Sequence, residues 1–103
     1  RPWPGRLPPP LPTEVFTPPR AVRVEATDRS EVRVDERGAL SAPPTLVDDT
    51  PVTSWAGPWG LRDRAWDRQR GHRAHRLQLV DARQRAWVVL FEGEQWWAEG
   101  ISR

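Results

Sequence analysis

The sequence predicts an all-β protein, a small antiparallel barrel or strongly twisted sheet of six to seven short strands with at most one short helix. Three observations support this prediction. Apolar and polar residues alternate in several short segments. Turn signals rich in Gly, Pro and Asp recur about every 8–12 residues, the spacing typical of small β proteins. The seven tryptophans can each bury about 150–250 Å², which offsets the small size of the core.

The most apolar stretch, residues 86–91, predicts a central strand. Both of its sides are apolar, so we expect the strand to be covered on both faces. Glu92-Gly93-Glu94 predicts a tight connection to a second strand over residues 95–99. Trp96 and Trp97 are adjacent in that strand, so their side chains point to opposite faces and we expect one of them to be exposed.

Residues 21–26 and 31–35 alternate cleanly and predict two strands with their valines inward. Their register is open to argument. Pairing Ala26 with Val32 places Glu25 opposite an arginine, whereas pairing Val24 with Val32 places Glu25 opposite Glu31. Like charges directly opposed are unfavourable, so we expect the first register, with a loop over residues 27–31.

The remaining segments are short and punctuated by turn residues. Turns are predicted at residues 36–38, 48–51 and 81–84. Strands are predicted at residues 52–56, closed by Gly57-Pro58, and at 75–80 with Leu77 and Leu79 inward. Prolines confine residues 39–42 and 45–47 to a sheet edge or a strand start, and residues 61–71 predict one or two helical turns.

Residues 1–19 contain eight of the twelve prolines and predict an extended arm before a β domain over residues 20–103. Fixed φ and missing N–H groups exclude helix and central strand, leaving polyproline II or irregular extended chain. A semi-rigid spacer is one interpretation of this arm. Residues 7–12 also have the PxxP spacing of ligands for aromatic grooves, and Trp3, Leu11 and Phe16 can instead fold back onto the domain.

Length and composition exclude several kinds of protein. The 103 residues allow one domain, and the first residue is Arg1, so we expect a part of a longer protein. No cysteine is present, which excludes disulfides and thiolate zinc sites and fits a reducing cytoplasm. No signal peptide or bilayer-spanning apolar run is visible, so no membrane contact is predicted. The net charge of +2 is too small for a globally basic nucleic-acid binder.

Basic residues nevertheless cluster in one segment. Residues 61–76 carry six arginines against two aspartates. Guanidinium groups match phosphates, and nearby Trp59 and Trp66 can stack on bases, so the segment is a candidate for contact with single-stranded DNA. The alternatives are a solvated, self-paired surface and an acidic protein partner. The candidate nucleic-acid-binding residues are Arg62, Arg64, Arg68, Arg70, Arg73 and Arg76.

Tryptophans supply the candidate protein-binding residues. Trp55 and Trp59 bracket a Gly-Pro turn, and we expect Trp55 in the core. Exposed tryptophans are enriched at binding hot spots. The candidate partner-binding residues are Trp59, Trp66, Trp97, Arg68 and Arg70.

No catalytic, cofactor or metal site is predicted. His72 and His75 form an HxxH pair without a convincing third zinc ligand. No cysteine nucleophile, G-x-S-x-G turn or phosphate loop is present, and neighbouring arginines lower the pKa of the carboxylates. We therefore expect a protein that is not an enzyme.

Four pieces, in order along the chain, resemble the C-terminal region of the ImuB family. They are Arg1-Pro2-Trp3-Pro4-Gly5-Arg6-Leu7-Pro8-Pro9-Pro10, Leu40-Ser41-Ala42-Pro43-Pro44, Trp55-Ala56-Gly57-Pro58-Trp59 and Glu92-Gly93-Glu94-Gln95-Trp96-Trp97-Ala98-Glu99-Gly100. Members often have a Trp-Trp pair after W-A-G-P-W, where this chain has Ala65-Trp66 and so retains one tryptophan.

The resemblance implies a function in damage-induced mutagenesis. ImuB-like proteins have a Y-family polymerase-like body without catalytic carboxylates and act as adaptors in translesion synthesis. They join the sliding clamp, an error-prone C-family polymerase and a RecA-related accessory protein, ImuA-prime, and their C-terminal region is associated with partner binding. No segment matches the clamp-binding peptide, so clamp contact is not predicted here. The expectation is a non-catalytic interaction domain of the mutasome, with DNA contact as the alternative.

Overall fold

The computed structural model describes residues 14–61 and 74–103. These residues form one seven-stranded antiparallel sheet with the strand order β1-β7-β6-β5-β4-β3-β2. The strands are β1 (Glu14–Ala21), β2 (Val24–Glu25), β3 (Leu46–Val47), β4 (Thr50–Leu61), β5 (Ala74–Asp81), β6 (Ala86–Glu92) and β7 (Gln95–Ser102). The all-β prediction is confirmed, and the two described ranges contain no helix. The predicted helical turns at 61–71 begin on the last residue of β4 and otherwise lie outside the described residues.

The sheet is curled into a half-barrel, and the connection from β1 to β2 explains why. These strands lie at opposite ends of the strand order, which in a flat sheet would separate them by about 29 Å. Only Val22 and Arg23 connect them, and an extended chain covers at most about 11 Å between the flanking Cα atoms. The two edges must therefore approach each other. The Val22 amide donates to the Trp96 carbonyl on β7, at 3.1 Å.

The core lies on the concave inner face of this sheet. Leu77, Trp87, Val89, Phe91 and Trp96 are buried there. Val22, Val24, Val32 and Val34 pack against the same cluster, as the alternation predicted, and Val47 joins them. The remaining core members are Ala26, Leu79, Ala98 and Ile101.

The predicted C-terminal hairpin is confirmed. β6 lies between β5 and β7, and a two-residue turn joins Glu92 to Gln95. Gly93 and Glu94 both adopt positive φ, 65° and 63°, which suits the twist of a tight hairpin. Both faces of β6 were expected to be covered. The inner face is, whereas on the outer face Leu90 is buried and Val88 is only half-buried.

The register expected for the first hairpin is wrong. The structure pairs Glu25 with Glu31, and the Val32 amide donates to the Val24 carbonyl at 3.0 Å. The turn fixes this register, since the Ala26 amide donates to the Ser30 carbonyl at 2.9 Å. The repulsion on Glu25 is relieved by Arg29, 3.4 Å away, so the like-charge argument loses its force. Residues 31–35 contribute isolated bridges rather than a continuous strand.

β4 is longer than predicted. The strand begins at Thr50, directly after a turn in which Asp48 and Asp49 have positive φ, and it runs through Gly57-Pro58 to Leu61. The register shifts between Ala56 and Trp59, so the Gly-Pro pair forms an irregularity within the strand and does not end it.

The predicted boundary of the arm at residue 19 falls inside β1. Residues 14–19 belong to this strand, which pairs with β7 through Glu14 and Val15 at its start and through Arg20 and Ala21 at its end. Pro18 and Pro19 lie in an edge strand, where a missing N–H removes no ladder bond on the open side.

A buried carboxylate closes the turn between β5 and β6. Asp81 accepts hydrogen bonds from the Arg83 and Arg85 amides, both 2.9 Å, and from the Arg85 Nε at 2.8 Å. Its Oδ2 also accepts from the Trp87 Nε1 at 2.9 Å. Burial raises the pKa of Asp81, but the bonds from Trp87 and Arg85 outweigh it and hold that pKa below its ordinary value. Asp81 is therefore a structural group.

Candidate functional site

Four residues line up across the outer face of the sheet, on four adjacent strands. Trp59 on β4 pairs with Arg76 on β5, Arg76 pairs with Leu90 on β6, and Leu90 pairs with Trp97 on β7. Directly paired residues share one face, so these side chains form a continuous row, here called the outer row. Strand spacing gives it a length of about 14 Å between the outermost Cα atoms.

The two indoles of the outer row are held in defined positions. Trp59 is 41% exposed, and Trp97 is half-buried with its Nε1 donating to the Glu92 carbonyl at 3.2 Å. Leu90 lies buried between Arg76 and Trp97. The row therefore presents aromatic surface at both ends, with the partly exposed Arg76 and the buried Leu90 between them.

Gly57 allows Trp59 to lie close to the backbone. It has φ of 108°, and a Cβ at this position would lie 3.0 Å from both the Arg76 carbonyl oxygen and the Trp59 ring. Contacts this tight would require the Trp59 ring or the β5 backbone to shift, and positive φ disfavours a side chain independently. The Gly in W-A-G-P-W thus has a physical role, which is to let the second indole pack against the strand.

Arg76 is already engaged within the sheet. Its Nε donates to Glu99 Oε1 at 2.9 Å and its Nη2 to Oε2 at 3.3 Å. Glu99 occupies an irregularity of β7, since Val88 pairs with Gly100 while Val89 pairs with Ala98. The ion pair joins β5 to β7 across the outer side of β6. The Arg76 guanidinium is thus matched by a carboxylate before any partner arrives.

The next row on the outer face consists of uncharged residues. Val15, Gly100, Val88, Gln78 and Ala56 are directly paired in sequence across β1, β7, β6, β5 and β4. Val15 is the most exposed large apolar residue described, at 64%. Together with the outer row, these residues give the convex side of the sheet a mixed apolar and aromatic character.

Arginines elsewhere in the described residues also contact carboxylates. Arg23 pairs with Asp49, Arg29 pairs with Asp49 at 2.6 Å, and Arg33 pairs with Glu94 at 3.3 Å. The hydrogen bond from Arg29 is the main cause that holds the pKa of Asp49 below its ordinary value. With Arg76 and Arg85, at least five of the nine described arginines contact a carboxylate.

The charge of the chain is divided unevenly. The described residues contain nine arginines and twelve carboxylates, a formal charge of −3. Residues 62–73, between β4 and β5, contain five arginines and two aspartates, a formal charge of +3. The basic excess noted in the sequence therefore belongs to the segment between β4 and β5 and not to the sheet.

The structure brings together three of the predicted site residues. Trp59, Arg76 and Trp97 lie in the outer row. The others lie outside the described residues: Arg62, Arg64, Trp66, Arg68, Arg70 and Arg73. Sequence reasoning missed Leu90 and Glu99, because their places in the row depend on strand order and on the irregularity in β7.

Trp55 was expected in the core, and this is wrong. Its side chain is 42% exposed, and it is not part of the core cluster. β3 pairs with β4 only at Thr50 and Pro51, so among the described strands Trp55 has a neighbour on one side alone, where it pairs with Leu79. That pairing puts Trp55 on the inner face, opposite to Trp59.

Only one histidine of the HxxH pair lies in the described part of the chain. His72 lies outside the described residues, while His75 is buried on β5 opposite Phe91. Within residues 14–61 and 74–103, no three His, Asp or Glu side chains are grouped so that they can hold a metal ion.

Comparisons with known proteins found no match to a family model, a curated protein or a solved structure. In the part of the chain that the structure describes, no helix has the length and apolar character needed to cross a bilayer.

Proposed function

We propose that this chain is a non-catalytic protein-interaction domain of a translesion-synthesis adaptor and that the outer row is its contact surface. The alignment of Trp59, Arg76, Leu90 and Trp97 on one face carries the proposal. Trp and Arg are enriched among the residues that dominate binding energy at protein interfaces. A row with fixed indoles loses little conformational entropy when a partner binds.

Charge favours a protein over a nucleic acid as the partner of this row. Arg76 is the row's only charged member, and its guanidinium is bound to Glu99. A phosphate would have to displace that carboxylate and approach a body whose described residues carry a formal −3. An apolar protein surface meets neither obstacle.

The resemblance to the C-terminal region of ImuB guides the choice of partners to propose. We propose the ImuA-prime-like RecA-related protein and the error-prone C-family polymerase, recruited in the cytoplasm during the response to DNA damage. Trp66, Arg68 and Arg70 remain proposed contributors, since their segment joins β4 next to Trp59 and β5 next to Arg76.

Contact with single-stranded or primer-template DNA is the second candidate function. The observation that favours it is the formal charge of +3 between β4 and β5, next to an exposed indole. Arginines supply phosphate contacts and Trp59 a stacking platform. In this alternative Arg62, Arg64, Arg68, Arg70, Arg73 and Arg76 contact DNA.

A binding assay with a matched pair of tryptophan variants tests the leading proposal. Each mutasome protein is titrated against the chain by biolayer interferometry. Trp59→Ala is expected to weaken binding about 30-fold or more, the effect of losing a hot spot worth about 2 kcal/mol. Trp55→Ala is the control, because Trp55 has nearly the same exposure, 42% against 41%, on the other face.

The dependence of affinity on salt concentration distinguishes protein binding from DNA binding. Six phosphate contacts to a single strand predict a loss of affinity of about 300-fold between about 50 and 200 mM salt. An interface centred on the outer row is expected to change far less. The leading proposal is contradicted if no mutasome protein binds, or if Trp55→Ala weakens binding as much as Trp59→Ala.

A further inference from the structure

The outer row has the composition of a surface that binds proline-rich extended chain. Such chains dock on grooves lined by aromatic side chains, where proline rings pack flat against indoles and the preformed helix keeps the entropy cost low. Trp59 and Trp97 bound the row, and Arg76 and the buried Leu90 lie between them. We propose that the occupant is the proline-rich segment of this same chain, residues 1–13, and that it covers the row until a partner displaces it.

This inference rests on the proposed function only in treating the outer row as a docking site, and it adds the regulation of that site. The segment contains prolines at six of its thirteen positions, together with Trp3, Leu7 and Leu11. These are the residue types that an aromatic row accepts. Arg1 and Arg6 give the segment a charge opposite to the formal −3 of the described residues.

The segment joins the sheet beside this face. Residue 14 begins β1, where Glu14 pairs with Ile101 and Val15 pairs with Gly100 on the strand that carries Trp97. Val15 belongs to the uncharged row next to the outer row and is exposed. The point of attachment therefore lies at one margin of the proposed docking surface.

Residues 1–13 are also long enough to reach Trp97 and cross the outer row. Four residues along β7 separate Ile101 from Trp97, about 14 Å, and the outer row adds about 14 Å more. Thirteen residues in polyproline II extend about 40 Å. That leaves about four residues for the reversal of direction that the segment needs before it crosses the outer face.

The cysteine-free sequence allows one spin label to report on this contact. A nitroxide attached to Gly5→Cys in the full chain is expected to remove most of the intensity of the Trp59 and Trp97 indole N–H signals in NMR spectra. The Trp96 signal, from the buried inner face, is expected to lose less. A matched chain carrying Gly5→Cys with Pro8→Gly, Pro9→Gly and Pro10→Gly is expected to recover the Trp59 and Trp97 signals.

The same proline variant has a second expected effect. If the segment covers the row nine-tenths of the time, releasing it is expected to raise the apparent affinity for a partner about tenfold. Well-dispersed indole signals show that each variant is folded, since the substitutions lie outside every described strand.

Equal Trp59 and Trp97 intensities with oxidised and reduced label would overturn the inference. So would intensity losses that grow with protein concentration, because the segment would then occupy a second copy. Losses that persist in the proline variant also count against it. If the Trp59 and Trp97 signals lose intensity only in the chain that keeps Pro8, Pro9 and Pro10, the inference is supported even if no mutasome protein binds. Failure of every mutasome protein to bind would contradict only the proposed function.

Discussion

The two faces of this sheet use tryptophan in different ways. On the inner face, Trp87 and Trp96 are 2% and 0% exposed, and their indoles donate to the Asp81 carboxylate and the Val32 carbonyl, at 2.9 and 2.7 Å. On the outer face, Trp59 and Trp97 keep part of their surface in water. Trp96 and Trp97 show the contrast in consecutive residues.

The tryptophans of the two faces differ in exposure because different chain segments cover each face of the sheet. Residues 22–47 return across the concave side and bring a set of valines onto the inner indoles. No described segment returns in the same way across the outer face. The inner tryptophans therefore contribute to stability, whereas the outer tryptophans keep part of their surface in contact with water.

Replacing Trp96 is expected to have the largest effect. Trp96→Ala should lower the free energy of unfolding by about 3–5 kcal/mol, because it empties a large volume in the core. Trp97→Ala should cost only about 1–2 kcal/mol, since part of its surface is already hydrated. Denaturant titrations of both variants measure this gap, and equal losses would show that the two faces do not differ in this respect.

Trp96→Phe separates the ring from its hydrogen bond. It keeps most of the packing and removes the donor to the Val32 carbonyl. We therefore expect the free energy of unfolding to fall by about 1–2 kcal/mol, less than for Trp96→Ala.

Asp81 supports the inner face in a pH-dependent way. Asp81→Asn should cost about 2–3 kcal/mol at neutral pH, because an amide nitrogen cannot accept from Trp87 and Arg85. The pKa of Asp81 is lowered in the folded state, so its stabilising contribution is present above about pH 4 and is lost as pH falls toward the folded pKa. The difference between the parent and Asp81→Asn should therefore narrow below about pH 4.

Glu36→Gln is the control for this experiment, because Glu36 is an exposed carboxylate in a turn. It should change the stability at neutral pH by less than about 0.5 kcal/mol. A constant difference between the parent and Asp81→Asn from neutral to acid pH would contradict the role given to the charge.

The Arg76–Glu99 pair on the outer face should have the smallest effect. Both side chains are partly exposed, so solvent screens the pair, and we expect a coupling of at most about 1 kcal/mol. A double-mutant cycle with Arg76→Ala and Glu99→Ala measures it. A coupling above about 2 kcal/mol would show that the outer face is shielded from water, contrary to the contrast drawn here.

Local patterns in the sequence predicted much of the inner face. Alternation placed Leu77, Leu79 and the valines inward, and the Gly93 turn identified the hairpin. These features depend on residues close in sequence, so period and turn chemistry suffice. The opposite faces of Trp96 and Trp97 followed from the same period.

Features that depend on pairing could not be predicted in this way. The register at Glu25 was set by turn hydrogen bonds and by Arg29, which outweighed the like-charge argument. The burial of Trp55 was misjudged because nothing in its neighbourhood shows that β3 stops pairing at Pro51. Predicting the outer row would have required the strand order and the positions of two irregularities, at Gly57-Pro58 and at Glu99, because these decide which residues are aligned across the strands.

The pairing of β1 with β7 has a consequence for how the molecule is made. Glu14 and Ile101 are partners, so β1 cannot complete its pairing with β7 until the chain has been synthesised almost to the end of the sheet. During synthesis on the ribosome, β1 emerges while its partner is still untranslated, and closure of the half-barrel must follow release of the C-terminal hairpin from the exit tunnel. Pairing between such distant positions also favours slow folding, so nascent chains spend time with the Pro18-Pro19 edge strand unpartnered.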